Sequence, residues 1–178
     1  QSNPSNVKGR AWGWAYRVNT SRTGASVGGE GPDTPPAGGP PQIKSTPLMI
    51  NGTLYFSVPD HVYAVDARSG RDVWHYAWKT RGGDHIGNRG VGIRGDSVFT
   101  VTPDCHLVSL DIKDGKERWR KTICDLDLYY YASAAPIIVG HHLIAGVSGA
   151  ALDVPEYVEA PASGTGGRQV RRYVVPPN

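Results

Sequence analysis

The sequence predicts an all-β chain made of about three four-stranded propeller blades, on three observations. A pattern of Asp, Gly and Trp recurs at one spacing: Asp66 and Asp111, Gly70 and Gly115, and Trp74 and Trp119 are each 45 residues apart. Each copy holds several short apolar runs separated by turn residues, the pattern of a four-stranded antiparallel unit. Gly (23) and Pro (14) are abundant and gather at those turns and in one long loop, as many short strands require.

The elements follow in order. Residues 11–18 read as a first strand. Residues 19–42 are rich in Gly, Pro, Ser and Thr without periodicity, and read as a long loop. Blades are then expected near 45–78, 89–122 and 134–175, within one partial propeller domain over 1–178. In the first blade an apolar run ends at the turn Ile50-Asn51-Gly52, and a second follows with Leu54-Tyr55-Phe56. The third run alternates, with Val62, Ala64 and Asp66 on one face and Tyr63 and Val65 on the other. A Ser69-Gly70 turn leads into the strand that carries Trp74. The second copy repeats this with Ile93-Arg94-Gly95, Asp114-Gly115 and Trp119. A generic antiparallel sandwich is the competing fold, and the matched 45-residue register favours blades.

A ring as large as Trp buries much apolar area when it docks between two sheets, so Trp74 and Trp119 read as structural. The third copy, which continues through 157–175, has Val170 where the pattern wants Trp and Arg172 two positions later. Its outer edge is expected to dock less well.

Composition excludes several classes. A 39% hydrophobic and 20% charged chain is globular rather than disordered. Net charge is only +3, with scattered cations, which argues against nucleic acid. No apolar run reaches the ~20 residues of a membrane span. Gln1 to Asn6 is polar and does not read as a secretory leader, so the chain reads as a mature or excised segment. Cys105 and Cys124 have no metal-ligand spacing; one disulfide and two buried thiols are both open. Gly146-Val147-Ser148-Gly149-Ala150 lacks the final Gly of a nucleophile elbow and has strands on both sides, against a serine hydrolase. His141-His142 and His85 read as solvated turn and loop residues, and Tyr129-Tyr130-Tyr131 as packing.

Four stretches carry a family resemblance. They are Gly87-Asn88-Arg89-Gly90-Val91, residues 45–76, residues 133–149, and Tyr157-Val158 leading to Val174-Val175-Pro176. Together the chain resembles the N-terminal part of bacterial quinoprotein alcohol dehydrogenases. The resemblance implies an eight-bladed propeller, of which roughly three blades lie here, with pyrroloquinoline quinone in the central funnel. It implies oxidation of an alcohol by hydride transfer to the quinone C5 carbonyl, a cytochrome as electron acceptor, a calcium ion, and the periplasm as compartment.

The resemblance also implies roles for particular residues. Arg89 is the expected cofactor contact, because the quinone carries three carboxylates and a guanidinium fork binds such groups bidentately. Asn88 stands beside it in the same motif. Ser133 occupies the place of a cofactor-contacting Ser or Thr, and Ser148-Gly149 that of a Ser-Gly whose hydroxyl and amide can donate to quinone oxygens. Lys44 stands where many members have Glu, and is a further candidate. Gly83-Asp84 replaces the adjacent cysteines of methanol-type members. Ala150-Ala151 replaces a calcium-binding Glu, leaving Asp153 as the nearest carboxylate. Calcium takes several oxygens, so this segment is a poor metal site by itself. The family's catalytic Asp has no counterpart before Asn178.

Two functions follow: a segment of a quinone-dependent dehydrogenase, or a non-catalytic envelope scaffold of the same repeat that binds protein partners. Asn88-Arg89-Gly90-Val91 and Ser148-Gly149 favour the enzyme, since a scaffold does not need them. Because the cofactor site is built from blades all round the funnel, residues 1–178 alone are expected to be inactive without the remaining blades.

Overall fold

The computed structural model describes residues 13–18, 43–58, 60–79, 88–128, 130–140 and 142–147, and the backbone of 157–161 and 169–174. Among the described residues there are three four-stranded antiparallel sheets, each a meander in chain order. The first is β1 (Leu48–Ile50), β2 (Thr53–Val58), β3 (His61–Asp66) and β4 (Asp72–Ala77). The second is β5 (Gly92–Arg94), β6 (Ser97–Val101), β7 (His106–Asp111) and β8 (Glu117–Thr122). The third is β9 (Ile137–Val139), β10 (His142–Val147), β11 (Tyr157–Pro161) and β12 (Gln169–Val174). One 3-10 turn, Leu126–Leu128, lies between the second and third.

The core forms where one blade packs on the next. Alternation along β3 sends Val62 and Ala64 toward the second blade, with Tyr55, Trp74, Val98, Val108 and Leu110. It sends Tyr63 and Val65 to the opposite face, where Trp14, Tyr16 and Val18 cover them. In the second blade Phe99, Val101 and Leu107 face Leu143, Ala145 and Val147 of the third. Residues 13–18 are the exception to the strand expected over 11–18. They join no ladder among the described residues, yet they alternate exposed and half-buried with the period of an extended chain.

Trp docking follows one geometry twice. Trp14 Nε1 donates to the Ala67 carbonyl at 3.1 Å, and Trp74 Nε1 donates to the Ile112 carbonyl at 2.9 Å. Each ring lies flat over a turn glycine. A Cβ on Gly70 would stand 2.6 Å from the Trp14 ring, and one on Gly115 would stand 2.6 Å from the Trp74 ring. No other residue fits beneath the indole.

The outer hairpins share one irregularity, a shift of register after Ala64↔Trp74, after Ser109↔Trp119 and after Glu159↔Arg172. This corrects the sequence alignment of the third copy. Counting inward from Tyr157↔Val174, as from His61↔Ala77 and His106↔Thr122, the Trp position falls on Arg171 and not on Val170. All three hairpins carry the shift, but the stretch enclosed by the pair beyond it runs over 162–168 in the third copy against 66–71 and 111–116 in the others, and that one extra residue displaces the position, which a gapless alignment does not see.

Cys105 and Cys124 are joined as a disulfide, with 4.9 Å between their Cα atoms. It ties the β6–β7 turn to the chain leaving β8, inside the core between the second and third blades. Closing a loop of about 20 residues contributes about 3 kcal/mol in the chain-entropy account. Replacing both cysteines with alanine in the full-length polypeptide is expected to lower its unfolding free energy by roughly that much. Urea unfolding with the wild type under reducing conditions should show the same loss.

Acid should weaken the fold in two steps. Burial and the neighbouring His61, at 3.0 Å, push the His75 imidazole below its ordinary range. The folded state therefore resists a proton that the unfolded state takes up, and stability falls as pH drops below about 6.5. Hydrogen bonds from Ser69 hold Asp66 low, and the Arg118 guanidinium holds Asp96 and Asp111 low. Their contribution is full above about pH 4 and is lost as pH falls through their depressed values. Urea midpoints measured from pH 8 to 3 should fall in both windows, and His75→Gln should remove the upper one.

Candidate functional site

The strands alternate in direction, so the lead-ins to β1, β5 and β9 gather at one end of the three sheets together with the β2–β3 and β6–β7 turns. Backbone hydrogen bonds join the three lead-ins. The Thr46 amide donates to the Arg89 carbonyl at 3.3 Å, and the Arg89 amide donates to the Ser133 carbonyl at 3.0 Å. Arg89 thus sits between the first and third blades as well as at the head of the second. Its side chain is exposed, as is that of Lys44, and Ser133 is half-buried. No ion pair or side-chain hydrogen bond engages Arg89 or Lys44 among the described residues. Two cations without a partner among the described residues therefore flank these lead-ins, a setting suited to an anion.

Asn88, expected among the cofactor contacts, is engaged inside the protein instead. It is 5% exposed. Its Oδ1 accepts from Ser57 Oγ at 2.6 Å and from the Gly90 amide at 2.8 Å. Its Nδ2 donates to the Val101 carbonyl at 2.8 Å and, more loosely, to Thr100 Oγ1 at 3.4 Å. All four hydrogen bonds an amide can make are formed, and none remains for a ligand. Gly90 has φ +133, and a Cβ there would meet the Thr46 carbonyl at 3.4 Å. The motif is thus built to seat a backbone with Arg89 projecting from it.

Ser45 and Ser57 were not among the sequence candidates. Ser57 is fully buried, and its amide donates to Ser45 Oγ at 3.0 Å. Their only signal in the sequence is a serine next to a turn. Ser148, Gly149 and Asp153 lie outside the described residues, as do His85, Gly83-Asp84, Tyr129 and His141. Among the described residues no three His, Cys, Asp or Glu side chains group as a metal site, and no helix is long and apolar enough to cross a membrane.

Residues 1–153 match the family model "Glucose/ethanol/alcohol dehydrogenase, beta-propeller domain", labelled PQQ. The chain belongs to this family. Among curated members it is 36% identical over 142 residues to the quinohemoprotein alcohol dehydrogenase ADH IIB of Pseudomonas putida, a match covering 75% of this chain and 20% of that one. It is 37% identical over 122 residues to the quinoprotein alcohol dehydrogenase PedH of the same species, covering 66% and 20%. The crystal structure of quinohemoprotein alcohol dehydrogenase from Comamonas testosteroni superposes with a TM-score of 0.76 at 25% identity, over 98% of this chain and 24% of that chain. The PQQ-family chain described here thus spans about a fifth to a quarter of the length of these relatives. BamB from Moraxella catarrhalis, at 18% identity and a TM-score of 0.53, shares the fold alone. The scaffold alternative gains nothing from it.

Proposed function

We propose that this chain forms part of the cofactor pocket of a quinoprotein dehydrogenase that oxidises an alcohol. The observation that carries the reading is Arg89, an exposed guanidinium without a protein partner among the described residues, held at the junction of three blades with Lys44 nearby. Pyrroloquinoline quinone fits that donor set, since its carboxylates match a guanidinium fork and an ammonium. When bound, the quinone supplies the hydride acceptor for the alcohol carbon. The chain's own share is to hold the cofactor's anionic groups through Arg89 and Lys44, with Ser133 beside them. Ser148 and Gly149 complete the proposed contacts. Calcium, with Asp153 as one oxygen ligand, a cytochrome as electron acceptor and a periplasmic location belong to the same reading, by likeness to the family.

The test is a titration of the full-length polypeptide with quinone in the presence of calcium. Saturable quenching of Trp fluorescence and dye-linked oxidation of a primary alcohol are expected. Residues 1–178 by themselves should do neither, because most of the funnel is built elsewhere. A full-length protein that neither binds quinone nor oxidises an alcohol would sink the proposal in favour of the protein-binding scaffold.

A further inference from the structure

We infer that Ser57 is a positioning residue for Arg89, acting through Asn88 from inside the first blade. The inference rests on the proposed role of Arg89 in binding the quinone. Ser57 belongs to β2, a strand that does not touch the lead-in of the second blade in sequence, and it is fully buried. Its hydroxyl reaches across the blade boundary to Asn88 Oδ1 at 2.6 Å. The same oxygen accepts from the Gly90 amide at 2.8 Å. One carbonyl oxygen therefore ties the residues on both sides of Arg89 to the first blade. From the other side, Asn88 Nδ2 is anchored to the Val101 carbonyl of β6 at 2.8 Å.

Ser57 is itself held. Its amide donates to Ser45 Oγ at 3.0 Å, and Ser45 precedes Thr46, whose amide bonds the Arg89 carbonyl at 3.3 Å. The bonds run in a ring: Ser57 to Asn88 to Arg89 to Thr46 to Ser45 and back to Ser57. An arginine has a long side chain, so the accuracy with which it meets a carboxylate depends on how well its Cα is fixed. Displacement of a positioning group by about 1 Å can cost on the order of 100-fold in function. Removing the Ser57 hydroxyl opens the ring at its most buried point while leaving Asn88 Oδ1 the Gly90 amide, so the loop is loosened rather than unfolded.

The experiment is a double-mutant cycle on the full-length protein, read as quinone affinity from Trp fluorescence without turnover, beside the thermal midpoint. Ser57→Ala should weaken quinone binding about tenfold, the scale of one lost hydrogen bond of a buried group. In an Arg89→Ala background the same substitution should change affinity less than twofold, because the group it positions is gone. An equal loss in both backgrounds would show that Ser57 acts on the fold at large, and overturns the inference. So does an unchanged affinity in Ser57→Ala while Arg89→Ala weakens binding, which leaves the proposed function standing. Unchanged affinity in Arg89→Ala overturns both. If Ser57→Ala does not fold, Ser57→Cys keeps the volume, weakens the hydrogen bond and carries the same expectations.

Discussion

Replacing Trp74 with alanine is expected to cost about 3–5 kcal/mol of unfolding free energy, the usual range for a large aromatic removed from a packed site. Trp74 is 7% exposed and lies between two blades. Its ring covers Gly115, its Nε1 donates to the Ile112 carbonyl at 2.9 Å, and its ring lies at a centroid distance of 5.9 Å from that of Tyr55, tilted by 50°. Alanine removes the contact with Gly115 and leaves that carbonyl without its donor. Because a glycine lies beneath the ring, that side of the gap offers no side chain to fill it. Trp74→Phe separates the two contributions: it keeps most of the apolar contact and should cost only about 1 kcal/mol more than the lost area, for the hydrogen bond. Urea unfolding of the full-length polypeptide measures both. A loss below 1 kcal/mol for Trp74→Ala would mean that the indole does not hold the blades together.

The largest functional effect is expected at Arg89. Arg89→Ala should weaken quinone binding roughly 100-fold, corresponding to about 3 kcal/mol for a charge-assisted pair that is partly removed from water. The thermal midpoint should hardly move, because the side chain is exposed and has no protein partner among the described residues. Arg89→Lys should recover only part of the affinity, since an ammonium cannot make the two parallel bonds of a guanidinium. Titration of the cofactor-free full-length protein decides it. Wild-type affinity in Arg89→Ala would mean that this residue is a surface cation and not a cofactor contact.

Much of the fold was legible because strand side chains alternate strictly. The reading that Val62 and Ala64 share one face and Tyr63 and Val65 the other needed only their order, and the blade interfaces follow it. The Arg89 site was legible as a motif, but the state of its neighbours was not. Asn88 is expected at the cofactor only because it stands in the same motif as Arg89. Its four partners come from Ser57, Gly90, Thr100 and Val101, and Ser57 is 31 residues away in sequence. Trp14 was passed over for a related reason: the insertion at 19–42 breaks the 45-residue register that exposed Trp74 and Trp119.

By itself, then, the sequence determined the all-β repeat, the recurrence of Asp, Gly and Trp at one spacing, the division of the 62–66 run between two faces and the arginine motif. These depend on local periodicity and on residue types that admit few alternatives. The tertiary structure alone decided that Cys105 meets Cys124, that the register of the third hairpin puts its Trp position at Arg171, and that Ser57 holds Asn88. Each of these depends on which side chains approach across a sheet or between blades. That is set by register and packing over tens of residues, and no local pattern encodes it.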